Sequence, residues 1–346
     1  MQIDIHGGMF KTATTAAQRV MTRQRDTMIA AGIFYPAKNA PANHILNVRR
    51  PDWSPEPVLD QIKAAQALGC DRIIFSGEAV SILNADEIAT LRACLTGHHV
   101  RFVFSFRHWA EHLPSRWSTY SLRRDSQPLS AYINRLRTEF PMHIDLHFHQ
   151  LAERFNAAGD EFRAVSYSNE KSQGRSAISA LFQALELPTE LAEFLLDHCR
   201  FENTRRAWDQ VEMIRLLNGV VAQHLALNQD DLCHSIGAFG VGNIPFVLER
   251  HLDEIPSEIS EPLLDRIHKA RTVLRIDPNE VWLEQISEKF QARCARHFTN
   301  LVDDRVFADP KATETECTEL VWSRDVPDGV ARHLMAQPFM NRLTQP

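Results

Sequence analysis

Four groups of residues have the types and spacing to do chemistry. Lys11, with Thr12, Thr14 and Thr15 around it, follows a strand-like start, Met1-Gln-Ile-Asp-Ile5, and the turn His6-Gly-Gly8. A small-residue turn that runs into a helix offers backbone N–H groups, a positive helix end and a point charge to one bound oxyanion. The triphosphate loop G-x-x-x-x-G-K-[ST] is spaced differently, because here the lysine precedes the hydroxyl run and no glycine stands directly ahead of it. Ser76-Gly-Glu78 closes a second apolar run, and Arg107, with Ser115 eight residues on, closes a third. The fourth group, His143-Ile-Asp-Leu-His-Phe-His149, alternates ligand-type and apolar residues as metal ligands on one strand face would. In a helix, His143, Asp145, His147 and His149 would not share a face. Cys294 with His297, and Cys233 with His234, each lack a second ligand pair, so no metal is expected.

The elements that must position these groups follow from periodicity and breakers. Residues 15–31 read as a helix closing at Gly32, 58–68 as a helix ending at Gly69, and 85–96 as a helix. Asp71-Arg-Ile-Ile-Phe-Ser76 and His99-Val-Arg-Phe-Val-Phe-Ser-Phe106 read as buried strands, and 161–167 as one more. This alternation predicts an α/β fold: a parallel β-sheet sandwiched by helices, with a largely helical C-terminal half. The expected organisation is a single domain over 1–346, with a nucleotide-binding α/β core at 1–175, a helical shell at 176–300 and an unplaced tail at 301–346. Ligands of such sheets sit at the carboxyl ends of the strands.

At 346 residues, 44% hydrophobic and 24% charged, the chain can bury a large core. A net charge of −6 argues against a nucleic-acid surface and leaves a small anion held by a local basic pocket. No leader-like start and no apolar run of membrane-spanning length stand in the sequence, and the six cysteines show no paired spacing, so a cytoplasmic protein with reduced thiols is expected. Oligomeric state is not legible from the pattern.

Taken together, the first three groups resemble a known set. The chain is similar to bacterial sulfotransferases of the phosphate-loop type, which use 3′-phosphoadenosine 5′-phosphosulfate as donor. Phe10-Lys-Thr-Ala-Thr-Thr15 matches the family's P-K-[ST]-G-T-T-like loop at the lysine and all three hydroxyls, with Phe10 in place of proline and Ala13 in place of glycine. Arg107-His-Trp-Ala-Glu-His-Leu-Pro-Ser115 reproduces the arginine and serine spacing with which the family binds the 3′-phosphate. Gly32-Ile-Phe-Tyr-Pro36, residues 160–167 and Arg215-Leu-Leu-Asn218 look like later landmarks, so the likeness covers roughly 1–220.

The resemblance implies that Lys11, Thr12, Ala13, Thr14 and Thr15 hold the 5′-phosphosulfate, that Arg107 and Ser115 hold the 3′-phosphate, and that adenosine 3′,5′-bisphosphate is released without need of a metal. Lys11 would meet the charge that builds on the leaving oxygen, as positioned cations do in phosphoryl transfer. Glu78 is the first candidate for the base that deprotonates the acceptor, and His44 the second. The acceptor would be a hydroxyl or amine of a carbohydrate, lipid or small molecule. Two rivals stand beside this reading: a kinase-like phosphoryl transferase, which would need Mg²⁺ and a carboxylate at a strand end, and a non-catalytic nucleotide-binding protein. The plainer readings are a threonine-capped helix start for the loop, a surface arginine with a helix-start serine after Pro114, and a solvated or capping glutamate for Glu78.

Overall fold

The computed structural model describes residues 1–9, 12, 14–36, 45–123, 125–139, 146, 148–157, 160–200, 206–224 and 253–337. The chain begins with β1 (Gln2–Gly8), α1 (Thr14–Arg23), α2 (Arg25–Ala30) and β2 (Ile33–Phe34). It continues through α3 (Glu56–Ala67), β3 (Arg72–Ser76), α4 (Ala85–Cys94) and β4 (His99–Phe106), then α5 (Trp109–Arg123), α6 (Leu129–Thr138), α7 (His149–Ala157) and β5 (Glu161–Ser166). The later elements are α8 (Tyr167–Ser172), α9 (Ala177–Ala184), α10 (Thr189–Asp197), α11 (Trp208–His224), α12 (Ser257–Lys269), β6 (Thr272–Ile276), α13 (Val281–Cys294), β7 (Thr313–Cys317), α14 (Trp322–Asp325) and α15 (Asp328–Met335).

The fold is α/β. Five strands form one wholly parallel sheet in the order β2-β3-β1-β4-β5, so β1 lies at its centre with Ile5 beside both Phe75 and Phe102. Both faces of such a sheet are covered, and the sequence obeys: Ile3, Ile5, Ile73, Ile74, Phe75, Phe102, Val103 and Phe104 are all buried. The connections leave to opposite sides at neighbouring strands: that from β1 leads toward β2 and that from β4 toward β5. The crevice outside the carboxyl ends of β1 and β4 is therefore the topological switch point, where open α/β sheets bind ligands.

The residues fall into two compact units that interleave along the chain, one of residues 1–109, 142–204 and 278–311, the other of 110–141, 205–277 and 312–346. The expected boundaries at 175 and 300 follow the chain consecutively; these units do not. The first unit contains the parallel sheet. Its amino edge is pinned by Asp4, a buried carboxylate that accepts from Arg101 Nε at 2.8 Å and Arg72 Nε at 2.5 Å. Arg101 and Arg163 then share Glu186, each at 2.6 Å, in a turn that holds Glu186 at a φ of 53°. On the far side, Phe298 bridges Ala164 and Asn300 joins the backbone of Ser166, which covers the edge of β5.

The second unit is helical, with α11, α12 and α15 packed around Ile214, Leu217, Ile259, Leu263 and Leu334. One expectation fails here. The helical shell expected at 176–300 contains a strand, β6, which pairs antiparallel with β7 from the unplaced tail. The β-branched Thr272, Val273 and Ile276 and the following Pro278 favour extended backbone locally, but the partner that stabilises it is distant in sequence.

Candidate functional site at the carboxyl edge of the sheet

The site is built where β1, β3 and β4 end. Gly8 closes β1 at a φ of +126°, and a Cβ there would stand 2.3 Å from the Ser105 carbonyl oxygen on β4. A Cβ on Gly7 would meet the Phe104 ring at 2.6 Å. The two glycines thus let the ends of β1 and β4 approach each other, with Gly8 in a conformation that other residues rarely adopt. This alters their expected role. The Gly8 N–H donates to Ser81 Oγ at 2.8 Å, and the Met9 N–H to the Ser105 carbonyl at 2.9 Å. Both amides expected to face an anion are spent inside the protein.

Beyond the glycines, Thr12 donates its hydroxyl to the Met9 carbonyl at 2.8 Å, so that side chain shapes the loop from within. Thr14 opens α1 and donates its hydroxyl to Glu78 Oε1. Glu78 begins a 3-10 turn, Glu78–Ile82, directly after β3, and the same turn sends Ser81 Oγ back to the Gly8 carbonyl at 2.7 Å. Two expected site residues from separate strand ends, Thr14 and Glu78, therefore meet. Thr15 is half-buried on α1. Phe10, Lys11, Ala13 and His44 lie outside the described residues, as do His143, Asp145 and His147. His149, the last of that run, is buried at the start of α7.

Arg107 follows β4. Its N–H donates to Met9 Sδ at 3.2 Å, which ties the end of β4 to the start of the loop, and its guanidinium lies over the Tyr167 ring, 5.1 Å from the centroid. Tyr167 opens α8 at the end of the neighbouring strand β5, so the arginine is carried across the carboxyl edge of the sheet. Ser115 lies inside α5 in the second unit, with Pro114 also internal to that helix, and its carbonyl accepts from Thr119 Oγ1 at 3.0 Å. The plainer reading of Ser115 as a helix start after Pro114 does not hold, because the helix begins at Trp109. Among the described residues no group of three or more His, Cys, Asp or Glu side chains could hold a metal.

Several residues of this edge escaped the sequence reading. His6, inside β1, has Nδ1 2.7 Å from Ser76 Oγ, and Gln18 Nε2 reaches the same hydroxyl at 3.2 Å. Tyr35 also bonds Ser76; burial pushes its phenol upward, while the hydrogen bonds to Ser76 and Thr22 pull the other way. Ser76 thus links β1, β3, α1 and the residue after β2 beneath the loop. His108 has Nε2 3.1 Å from Ser287 Oγ and is boxed by Phe307 and Trp109. The available signal was a histidine within an apolar strand and another directly after one, since polar groups at such places need partners.

His6 gives a pH dependence. Burial lowers its pKa from 6.5 to about 4. The unfolded chain then takes up this proton below about pH 6.5 and the native protein only near pH 4, so the stability due to a neutral His6 is complete above the upper value and lost as pH falls to the lower. The urea midpoint is expected to fall across that window, and less steeply in His6→Gln. An equal slope in both proteins would show that other groups control the acid limb.

Comparison of the chain with protein families, with curated proteins and with solved structures gives no match in any of the three.

Proposed function

We propose that the chain transfers a sulfuryl group from 3′-phosphoadenosine 5′-phosphosulfate to a hydroxyl or amine of a carbohydrate, lipid or small-molecule acceptor, releasing adenosine 3′,5′-bisphosphate. The observation that supports this most is where β1 ends and α1 begins. The central strand closes at the switch point of a parallel sheet, beside a strand whose end carries Arg107, and α1 follows it in the chain, opening at Thr14. In this reading the acceptor oxygen forms a bond to sulfur, the bond from sulfur to the 5′-phosphate oxygen breaks, and that oxygen keeps the electron pair. Lys11 and the start of α1 offset the charge it gains. Glu78, oriented by the Thr14 hydroxyl, takes the acceptor proton, and Arg107 holds the 3′-phosphate.

The contact between Thr14 and Glu78 favours a second reading. A hydroxyl that gives its proton to a carboxylate turns lone pairs outward, where they suit a hard cation better than an anion. A hydroxyl at a helix start and a carboxylate beyond a strand end also hold Mg²⁺ in nucleotide-dependent phosphoryl transfer. Calorimetric titration separates the two. Under the first reading adenosine 3′,5′-bisphosphate binds without metal, and Arg107→Ala weakens it on the order of tenfold to a hundredfold, the range for a charge-assisted hydrogen bond. Preference for ATP with Mg²⁺ would replace it by the second.

A further inference from the structure

A directed circuit of hydrogen bonds lies beneath the loop that follows β1, and counting its protons fixes the tautomer of His6. Thr22 Oγ1 donates at 2.7 Å to the backbone carbonyl of Gln18, which can only accept, so the threonine proton is spent there. Tyr35 bonds both Thr22 and Ser76, and its own proton therefore goes to Thr22. Ser76 must then give its proton to Tyr35. Gln18 Nε2 lies 3.2 Å from both the carbonyl and the hydroxyl oxygen of Ser76, and donates to them. The contact of 2.7 Å between His6 Nδ1 and Ser76 Oγ has one proton left to use, that of the imidazole. His6 is thus protonated at Nδ1, and its buried Nε2, without a partner among the described residues, carries a lone pair.

We infer that Gln18 and Ser76 are positioning residues for Glu78, holding its carboxylate in register with Thr14. Gln18 stands four residues after Thr14 on α1, so the two side chains share a face of the helix. Ser76 closes β3 two residues before Glu78. The contacts of Gln18 with Ser76 and of Thr14 with Glu78 are therefore successive rungs between the same helix and the same strand end. Gln18 grips both oxygens of Ser76, His6 adds a donor to the hydroxyl, and the Gly77 N–H donates to the His6 carbonyl at 2.9 Å. The turn that carries Glu78 cannot shift along α1 without breaking this set of bonds, which support one another because each hydroxyl both accepts and donates. The kinetic side of this role rests on the reading of Glu78 as the proton acceptor; the direction of the circuit does not.

Nitrogen–proton correlation spectra of the full chain, labelled at histidine and recorded at neutral pH, read the tautomer, with His6 identified as the signal missing from His6→Gln. A proton on Nδ1 is expected; a proton on Nε2 would overturn the circuit and with it the inference. Turnover supplies the second arm. Gln18→Met, at a half-buried position, is expected to lower kcat about tenfold, inside the range that a well-placed general base contributes, while KM for the sulfuryl donor stays within about twofold. Ser76→Ala should act in the same direction, and circular dichroism checks that each variant folds. In a Thr14→Val background, Gln18→Met should lower kcat by less than about twofold more, because the contact it protects is already lost. A folded Gln18→Met with wild-type kcat, or the whole tenfold loss repeated in the Thr14→Val background, would overturn the positioning role. A wild-type chain that neither binds adenosine 3′,5′-bisphosphate nor turns over would overturn the sulfuryl-transfer reading instead, and the tautomer alone would then uphold or overturn the circuit.

Discussion

Lys11→Ala is expected to lower the rate of the proposed sulfuryl transfer about 10²–10³-fold, the usual cost of removing one group aimed at developing charge. The lysine is the only cation in the run Met9-Phe-Lys-Thr-Ala-Thr-Thr15, and no other residue of that loop can supply a full positive charge to the leaving oxygen. Among the described residues the edge is built by Gly8 with Ser81, Met9 with Ser105, Thr12 with Met9 and Thr14 with Glu78. The thermal midpoint is expected to stay close to that of wild type while turnover collapses. Affinity for adenosine 3′,5′-bisphosphate should fall less than the rate, because the lysine acts chiefly on charge that appears in the transition state. Unchanged turnover in this variant would remove the loop from the chemistry, and with it the sulfuryl-transfer reading.

The largest expected effect on stability lies in the second unit. Arg215 and Glu212 are fully buried one turn apart on α11. Arg215 Nε donates to Glu212 Oε2 at 2.8 Å, Nη1 to the Ser126 carbonyl at 2.8 Å and Nη2 to the Leu320 carbonyl at 3.0 Å. Glu212 Oε1 in turn accepts the Thr318 N–H at 2.8 Å. Every part of the pair is satisfied, and it ties α11 to the chain around residues 126 and 318–320. Glu212→Leu leaves a guanidinium buried without its counter-charge and is expected to cost about 3–5 kcal/mol. The double variant Glu212→Leu/Arg215→Met removes both charges and should recover much of that loss, since a buried pair replaced by apolar groups of similar size is often neutral. Urea unfolding of the three proteins checks this. A double variant as unstable as the single would show that the hydrogen bonds to residues 126, 318 and 320 matter more than charge balance.

Local pattern was enough for the parallel core. His99–Phe106 was legible to the residue as a strand, and Arg72–Ser76 to within one, because consecutive β-branched and aromatic residues bounded by turn formers leave few other ways to bury so much apolar surface. The expected helices at 58–68 and 85–96 lie within two residues of Glu56–Ala67 and Ala85–Cys94. The alternation of these elements determined the α/β class and pointed to the carboxyl ends of the strands. It also singled out Glu78 and Arg107 by their places at strand ends, and Thr14 by its place at the mouth of the first helix.

Tertiary structure decided how those places are used. No spacing in the sequence reveals that Thr14 gives its hydroxyl to Glu78, since the residues belong to different strand ends and meet only because β3 lies beside β1. Gly7 and Gly8 read as an anion-facing turn, but their small size serves the approach of β4, a neighbour set by strand order. The β6–β7 pair escaped for the same reason: neither segment alternates cleanly enough alone, and each is held extended by a partner far along the chain. Periodicity reports which residues want burial. Which buried surfaces meet depends on chain crossings, and these are decided by the packing of the whole unit.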